Sequence, residues 1–333
     1  MKALISNTPG GPESLVFGDL PEPTPAPGEI RIAVSACAVN YPDVLIISDR
    51  YQLKPPRPFS PGTEVAGTVD AIGAGVTDFS VGGRVFTAIP FGGMAEKVCV
   101  PVAGCFECPG DMPFEDACAL LMTYGTAFYA LKDRARLRTG ETLLVLGAAG
   151  GVGLAAVELG KAAGARVIAV ASSQDKLDLA RSRGADAGVL APRDPFDSTV
   201  AKSFSGQLKA ACGPAGADVI CDPVGGDYAE AALRAIAWEG RHLVVGFTAG
   251  VPRIPLNLPL LKSCQIVGVA WGAFTTRNPA ANRSNTQELL KLYQGGRIKP
   301  FITARYPLEH AAEAIALLAG RKALGKIVVT VAP

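Results

Sequence analysis

Two hydrophobic rhythms divide this chain. From residue 1 to 119, apolar residues come in short β-rich runs at 2–6, 29–39, 64–72 and 93–101, separated by Gly and Pro clusters, as expected of an all-β domain. One such cluster, P-E-P-T-P-A-P-G at 21–28, reads as a rigid surface connection. After Pro113 the segment F-E-D-A-C-A-L-L-M-T-Y-G-T-A-F-Y-A-L has helical spacing. From 143 the rhythm changes. Strand-length apolar runs at 143–146, 166–170, 187–190, 218–222, 243–247 and 265–270 alternate with helix-like segments such as 154–165 and 228–237. Six strands with helical crossovers predict a doubly wound parallel sheet. An amphipathic helix at 308–318 and a closing strand at 326–331 follow and return to the first domain. The predicted division is therefore 1–123, then 124–296, then a return over 297–333.

Composition narrows the class. The 333 residues are 49% hydrophobic and 19% charged, which is globular rather than disordered. A net charge of +2 without a Lys/Arg cluster gives no reason to expect a nucleic-acid partner. The opening M-K-A-L-I-S-N-T-P-G-G lacks the apolar core of a signal peptide. The uncharged stretch 142–157 is Gly-rich and shorter than the roughly 18 residues of a membrane helix. The expectation is a soluble, cytoplasmic protein with no membrane partner. Its eight cysteines suggest small buried hydrophobes, because Cys99, Cys105, Cys108 and Cys118 do not form the two close pairs of a structural zinc site.

The chemistry concentrates at L-L-V-L-G-A-A-G-G-V-G, residues 143–153. A strand that turns directly into a helix aims unpaired amides and the positive end of a dipole at one spot, where an anion is stabilised. Glycines at 147, 150, 151 and 153 allow a sharp turn and close approach of a pyrophosphate, and Gly151-x-Gly153-x-x-Ala156 satisfies the dinucleotide fingerprint in its Gly/Ala form. The next apolar run ends in Ala171-Ser172-Ser173, where an NAD-preferring site carries Asp or Glu. Two hydroxyls, with Lys176 one turn later, offer donors and a cation to a 2′-phosphate, so the expected cofactor is NADP(H). A plain helix N-cap at Ser172 and a solvated Lys176 are the ordinary alternatives. Sheets of this type bind ligands at strand ends, which points to Asp222-Pro223-Val224-Gly225-Gly226 and Gly246-Phe247-Thr248, against ordinary turn chemistry at both.

In the first domain, Asn40-Tyr41-Pro42-Asp43-Val44-Leu45, followed by Tyr51, is the most chemically loaded loop. Its amide and hydroxyl suit a carbonyl oxygen that gains charge as hydride arrives. Equally, Asn40 can cap a helix starting at Pro42, and Tyr51 can be a half-buried core aromatic. Met122 and Thr126 stand four apart, on one face of a helix expected to border a cleft between domains.

In order along the chain, M-K-A-L with G-G-P-E-S, V-N-Y-P-D-V-L, P-G-T-E-V-A-G-T-V, M-T-Y-G-T-A, G-A-A-G-G-V-G, A-S-S-Q-D-K-L, C-D-P-V-G-G and G-K-I-V-V resemble the zinc-free quinone oxidoreductase branch of the medium-chain dehydrogenase/reductases, the ζ-crystallin-like group. That resemblance implies an α/β architecture, a GroES-like β-barrel catalytic domain plus a Rossmann doubly wound parallel sheet. It implies a homodimer that uses NADPH to reduce a small electrophilic acceptor, a quinone or the C=C bond of a conjugated carbonyl compound. It sets Asn40, Tyr51 and Asp43 in the catalytic cleft, and Met122 and Thr126 beside the nicotinamide. Gly147, Ala149, Gly150, Gly151, Val152 and Gly153 fall at the pyrophosphate, and Ser172, Ser173 and Lys176 at the 2′-phosphate. Phe247 and the Trp271-Gly272 turn look similar to the family's nicotinamide-side loops, while Val224, Gly246 and Thr248 belong to the strand ends named above. Where many members carry an aromatic or His after the third strand, this chain has Ala191-Pro192-Arg193, which leaves Arg193 to offer charge to the adenosine phosphate. Two other readings stay open: reduction of a free or CoA-linked 2-enoyl substrate, and a nucleotide- or RNA-binding protein with little turnover. Zinc-dependent relatives need a Cys in the Asn40 loop and Gly-His-Glu where this chain has Gly62-Thr63-Glu64, so no catalytic zinc is expected.

Overall fold

The computed structural model describes residues 1–192, 196–320 and 323–331. The chain divides into two units, Met1–Met122 with Pro300–Pro333, and Thr123–Lys299. Among the described residues no helix is long and apolar enough to cross a membrane.

The first unit contains β1 (Lys2–Ser6), β2 (Leu15–Asp19), β3 (Glu29–Val39), α1 (Tyr41–Ile46), β4 (Glu64–Ile72), β5 (Arg84–Ala88), β6 (Lys97–Pro101), β7 (Cys105–Glu107) and α2 (Phe114–Cys118). The later return adds strand Ile302–Pro307, helix Ala311–Ala319 and strand Lys326–Thr330, here β14, α11 and β15. The sheet order is β14-β15-β3-β4-β5-β7, with β6 also on β3. One long strand joins the whole: the first half of β3 pairs with β6 and its second half with β15, and register shifts at Arg31/Ile32 and Val34/Ala36 bend it between the two. Such bulges let a sheet curl into a barrel. The run expected at 93–101 is a strand only over Lys97–Pro101, and β2, β5 and β7 lie outside the expected runs. β7 is three residues long, and the apolar part of β2 is only the run Leu15-Val16-Phe17, both shorter than the strand-length runs that mark the other strands.

The second unit contains α3 (Thr126–Phe128), β8 (Thr142–Leu146), α4 (Gly151–Ala162), β9 (Arg166–Ala171), α5 (Gln174–Ser182), β10 (Ala187–Leu190), α6 (Ser198–Cys212), β11 (Ala217–Asp222), α7 (Gly226–Leu233), β12 (Ile236–Val244), α8 (Asn257–Lys262), β13 (Gln265–Gly268), α9 (Trp271–Arg277) and α10 (Pro279–Gln294). Its strands are all parallel, in the order β10-β9-β8-β11-β12-β13, the doubly wound arrangement. Leu144, Leu146, Ile168, Val170 and Ile220 on the strands, with Phe204 and Leu208 on α6, form its buried core. The helix expected at 228–237 stops at Leu233, and Ile236 and Ala237 already belong to β12. An apolar run followed by apolar strand residues carries no period change that marks this boundary. The helix expected after Pro113 is also interrupted. Wider π turns span Leu121–Gly125 and Tyr129–Arg134, so the spacing of Met122 and Thr126 no longer stacks them in one α-helical row.

One buried carboxylate secures the points where the chain enters and leaves this unit. Glu158 on α4 accepts from the Tyr124 hydroxyl at 2.7 Å and the Lys299 amide at 3.0 Å, and pairs with Arg183 at 2.5 Å. Burial raises the Glu158 pKa, while Tyr124 and Arg183 oppose that rise. Removing one member of such a pair leaves its partner uncompensated. Glu158→Gln is expected to lower stability by about 3 kcal/mol in denaturant titration. A loss below about 0.5 kcal/mol, the range of ordinary surface changes, would show that the charge is not needed there.

Candidate active site

Strand register explains the polar cluster of the first unit. Val39, the last residue of β3, lies opposite Ile327 of β15, and Cys37 lies opposite Val65 of β4. The adjoining residues Asn40, Lys326 and Glu64 are therefore brought to one end of three neighbouring strands. All three are buried. Lys326 Nζ donates to Asn40 Oδ1 at 2.6 Å and lies 3.3 Å from Glu64 Oε2, and Asn40 Nδ2 donates to Glu64 Oε2 at 3.1 Å and to the Ala38 carbonyl at 3.2 Å. An ammonium has only donors and an ionised carboxylate only acceptors, so these neighbours fix which way the Asn40 amide faces. The other Glu64 oxygen accepts the Met122 amide at 2.9 Å. Burial raises the Glu64 pKa, and the Lys326 charge is the largest opposing influence.

Asn40 is the N-cap residue of α1. Its backbone N–H donates to Asp43 Oδ2 at 2.7 Å, while its side chain serves Lys326 and Glu64. The two Asp43 oxygens also accept the Gly62 amide at 3.1 Å and the Thr63 hydroxyl at 3.4 Å. Asp43 is wholly buried, and that desolvation lifts its pKa from 3.8 to about 7 against the pull of these bonds and of Lys326. Tyr51 is half-buried against the barrel core, and burial, then the Asp43 charge, raises its pKa. The loop thus combines both sequence readings: Asn40 caps a helix, and Tyr51 packs on the core, yet both adjoin a buried set of ionisable groups. Glu64 and Lys326 fall inside motifs that carry the resemblance, P-G-T-E-V and G-K-I-V-V, but the sequence reading gives them no role in the site. A charged residue at the start of an apolar strand ordinarily faces water, and only the register reveals otherwise.

In the second unit the strand-to-helix turn takes shape between β8 and α4. Gly147 has φ +60°, a left-handed value that suits glycine, and a Cβ on Gly153 would stand 2.1 Å from the Gly147 carbonyl oxygen. Gly150 is the N-cap residue and Gly151 the first helical residue. The turn therefore lies earlier than the reading Gly151-x-Gly153-x-x-Ala156 implies. Gly147 makes the bend, Gly150 caps, Gly153 packs, and Ala156 is a buried residue inside the helix. Ala149 is buried, whereas Gly150 is exposed and Gly151 and Val152 are half-exposed at the helix start. The exposed start of α4 offers main-chain amides that have no intrahelical partner. These residues fit a pyrophosphate.

At the end of β9, Lys176 Nζ donates to Ser172 Oγ at 3.3 Å. Ser173, not Ser172, is the N-cap residue of α5, and its side chain makes no capping bond. Ser172 is exposed, with no carboxylate in the Ala171-Ser172-Ser173 stretch, and Asp175 is exposed in the following first turn. Val224 is half-buried, and its Cγ2 would meet a Cβ on Gly147 at 2.9 Å. Gly246, Phe247 and Thr248 follow the end of β12 rather than ending a strand over 243–247; Phe247 is exposed, and the Thr248 hydroxyl donates to the Pro223 carbonyl at 3.4 Å. Trp271 opens α9 and is buried, with its ring 2.9 Å from where a Cβ on Gly125 would stand. Met122 and Thr126 are half-buried. Arg193 lies outside the described residues. Among the described residues no group of three or more His, Cys, Asp and Glu side chains could hold a metal ion.

Two outcomes follow for the first unit. Because the native state holds the Asp43 proton more tightly than the unfolded chain, that contribution to stability is complete below about pH 4 and is lost as pH rises to about 7. The stability of wild type relative to Asp43→Asn should fall over that window by an amount on the order of 4 kcal/mol, then stay level. Denaturant titrations at several pH values would record a flat difference if Asp43 titrates normally. Lys326→Met strands Glu64 without its cation and is expected to cost about 3–5 kcal/mol, while adding Glu64→Gln should restore part of the loss. Additive losses in that double-mutant cycle would mean that the two groups do not interact.

Two family models match the chain, an alcohol dehydrogenase GroES-like domain over residues 26–110 and a zinc-binding dehydrogenase over 151–293. A quinone oxidoreductase-like protein 2 homolog from Nematostella vectensis is 38% identical over 305 residues, covering 90% of this chain and 81% of that protein. Among solved structures, a mycobacterial protein complexed with NADPH superposes with TM-score 0.91 at 32% identity, covering 99% of this chain and 100% of that one. The Escherichia coli quinone oxidoreductase complexed with NADPH gives TM-score 0.88 at 26% identity, covering 99% of this chain and 100% of that one. With a GroES-like domain, a doubly wound parallel sheet and similarity along nearly its whole length, the chain belongs to the zinc-free quinone oxidoreductase branch of the medium-chain dehydrogenase/reductase superfamily.

Proposed function

We propose that this protein is an NADPH-dependent oxidoreductase that transfers hydride, without metal, to a quinone or an α,β-unsaturated carbonyl acceptor. The observation that carries the cofactor half is the pairing of a glycine turn open to main-chain approach with Ser172 and Lys176 at the end of β9. A ribose 2′-phosphate there meets a hydroxyl and an ammonium in place of the carboxylate that would repel it. NADPH-bound relatives of the same fold support this reading.

When bound, the nicotinamide supplies hydride at its C4 carbon, and the protein supplies position and electrostatics. Gly147, Ala149, Gly150, Gly151, Val152 and Gly153 hold the pyrophosphate; Val224, Gly246, Phe247 and Thr248 border the cofactor at strand ends. Tyr51, a half-buried hydroxyl, donates to the acceptor oxygen as charge grows on it. Asn40 has both ends of its amide engaged by Lys326 and Glu64, so its part is to hold its own loop in place, with Asp43 bonded to the same loop and its charge acting on Tyr51.

The acting form is a homodimer. Among the described residues the edge strand β13 pairs with β12 alone, and Ile266 on it, with Val251, Leu256, Leu260 and Leu261 in the segment that precedes it, are exposed apolar residues that a second copy would cover. All eight cysteines are free thiols, which suits the reducing cytoplasm.

The test is spectrophotometric. Purified protein with NADPH or NADH and a panel of quinones and enones should consume NADPH preferentially, and Lys176→Ala should erode that preference about tenfold, the factor expected for one lost charged contact to phosphate. Equal use of NADH, or binding of NADPH with no acceptor reduced, would reject the cofactor or the catalytic half respectively.

A further inference from the structure

His242 is not explained by packing. It lies on β12, one strand over from Asp222 at the end of β11, and both side chains are almost wholly buried, 3% and 2% exposed. His242 Nε2 is 3.1 Å from Asp222 Oδ2. An ionised carboxylate only accepts, so Nε2 carries the hydrogen and donates it. The other ring nitrogen, Nδ1, is buried with no hydrogen-bond partner among the described residues. An unanswered buried nitrogen costs stability that a leucine at this core position would not. What the imidazole adds over a leucine is the bond to Asp222.

Asp222 passes that hold outward. Its Oδ1 accepts the amides of Val224 at 2.9 Å and Gly225 at 2.8 Å, which shapes the turn after β11. Val224 in turn covers Gly147, the bend of the phosphate-binding turn, at 2.9 Å from the position of a Cβ there. Main-chain bonds from Ala249 N to Val224 O at 2.8 Å and from Gly226 N to Gly250 O at 2.7 Å knit this turn to the loop that follows β12. The path from His242 to the glycine turn therefore has two links, Asp222 and Val224.

We infer that His242 is a positioning residue of the dinucleotide site, anchoring Asp222 so that the 223–226 turn keeps Val224 against Gly147 and the 246–250 loop in place. It touches no part of the cofactor. This inference rests on the nucleotide reading above, and the experiment separates the two. In the full-length protein, His242→Leu should accelerate amide hydrogen exchange at 223–226 and 246–250 without nucleotide. It should raise the NADPH Kd about tenfold while kcat changes less than about twofold, since binding geometry rather than chemistry is disturbed. His242→Gln, which can still donate to Asp222, should recover much of both. Unchanged exchange and affinity in the leucine variant overturn the inference, as does a glutamine variant no better than leucine. Should the leucine variant fail to fold, His242→Phe, which keeps a ring but no donor, is read in the same way, and unchanged exchange and affinity there overturn the inference equally. If wild type binds no NADPH, the functional reading falls, and exchange alone still decides whether His242 holds the turn.

Discussion

Main chain lies on main chain where β8 turns into α4, and the carbonyl of Gly147 leaves no room for any side chain on Gly153. This contact sets how closely the helix start can approach the sheet, and the sheet order sets what else gathers there. In a 3-2-1-4-5-6 arrangement the first strand lies beside both the second and the fourth, so β8 is flanked by β9 and β11. The Ser172 and Lys176 pair follows β9, and the Asp222 turn follows β11. A bulkier residue at 153 would therefore disturb more than one bend, because Gly147 also seats Val224 from the neighbouring turn.

The first unit solves a different problem, that of keeping charge inside a barrel. Lys326 contributes one positive charge to a space that also contains two carboxylates, Glu64 and Asp43. Glu64 has the ammonium within ion-pair distance, whereas Asp43 feels it from farther away and is bonded instead to neutral amides and a hydroxyl. Desolvation raises the pKa of both carboxylates, and Asp43, which has no close cation, is lifted to about 7. Cys37, buried beside the same groups, has its thiol pushed well up by burial first and by the nearby Asp43 charge second, so it stays a thiol and adds no further charge.

How much of this was legible in the sequence depends on the distance over which each feature is decided. Five of the second unit's six strands were legible because each is a local apolar run, whereas β12 begins seven residues before the run expected at 243–247, inside a stretch that reads as helix. The glycine turn was legible as a cluster, although its register was not: five glycines and alanines in succession admit more than one fingerprint, and only the backbone angle at Gly147 and the packing at Gly153 choose between them. The Ser172 and Lys176 pair, four residues apart, was equally local. By contrast, Asn40 and Lys326 are separated by 286 positions, and nothing near either residue announces the other. Asp222 and His242, 20 positions apart on adjacent strands, depend on sheet register in the same way. The Asn40 loop shows the consequence. Its residue types suggested an amide offered to a substrate, but the two partners that occupy that amide come from strands whose pairing no local pattern predicts.

A common device links both units. Four buried acidic side chains each accept main-chain amides at places where the backbone leaves regular structure: Asp43 those of Asn40 and Gly62, Glu64 that of Met122, Glu158 that of Lys299, and Asp222 those of Val224 and Gly225. An amide at a strand end, turn or crossing has lost its ladder partner, and leaving it unpaired in the interior is costly. A carboxylate answers it with a charge-assisted bond and fixes its direction, which a neutral side chain does less strongly. The segments so held include the α1 cap, the last residues before each crossing between units, and the turn against the glycine bend. They are the parts of the chain on which the proposed chemistry depends, and they lie at caps, turns and crossings where α-helix and sheet ladders give the least support.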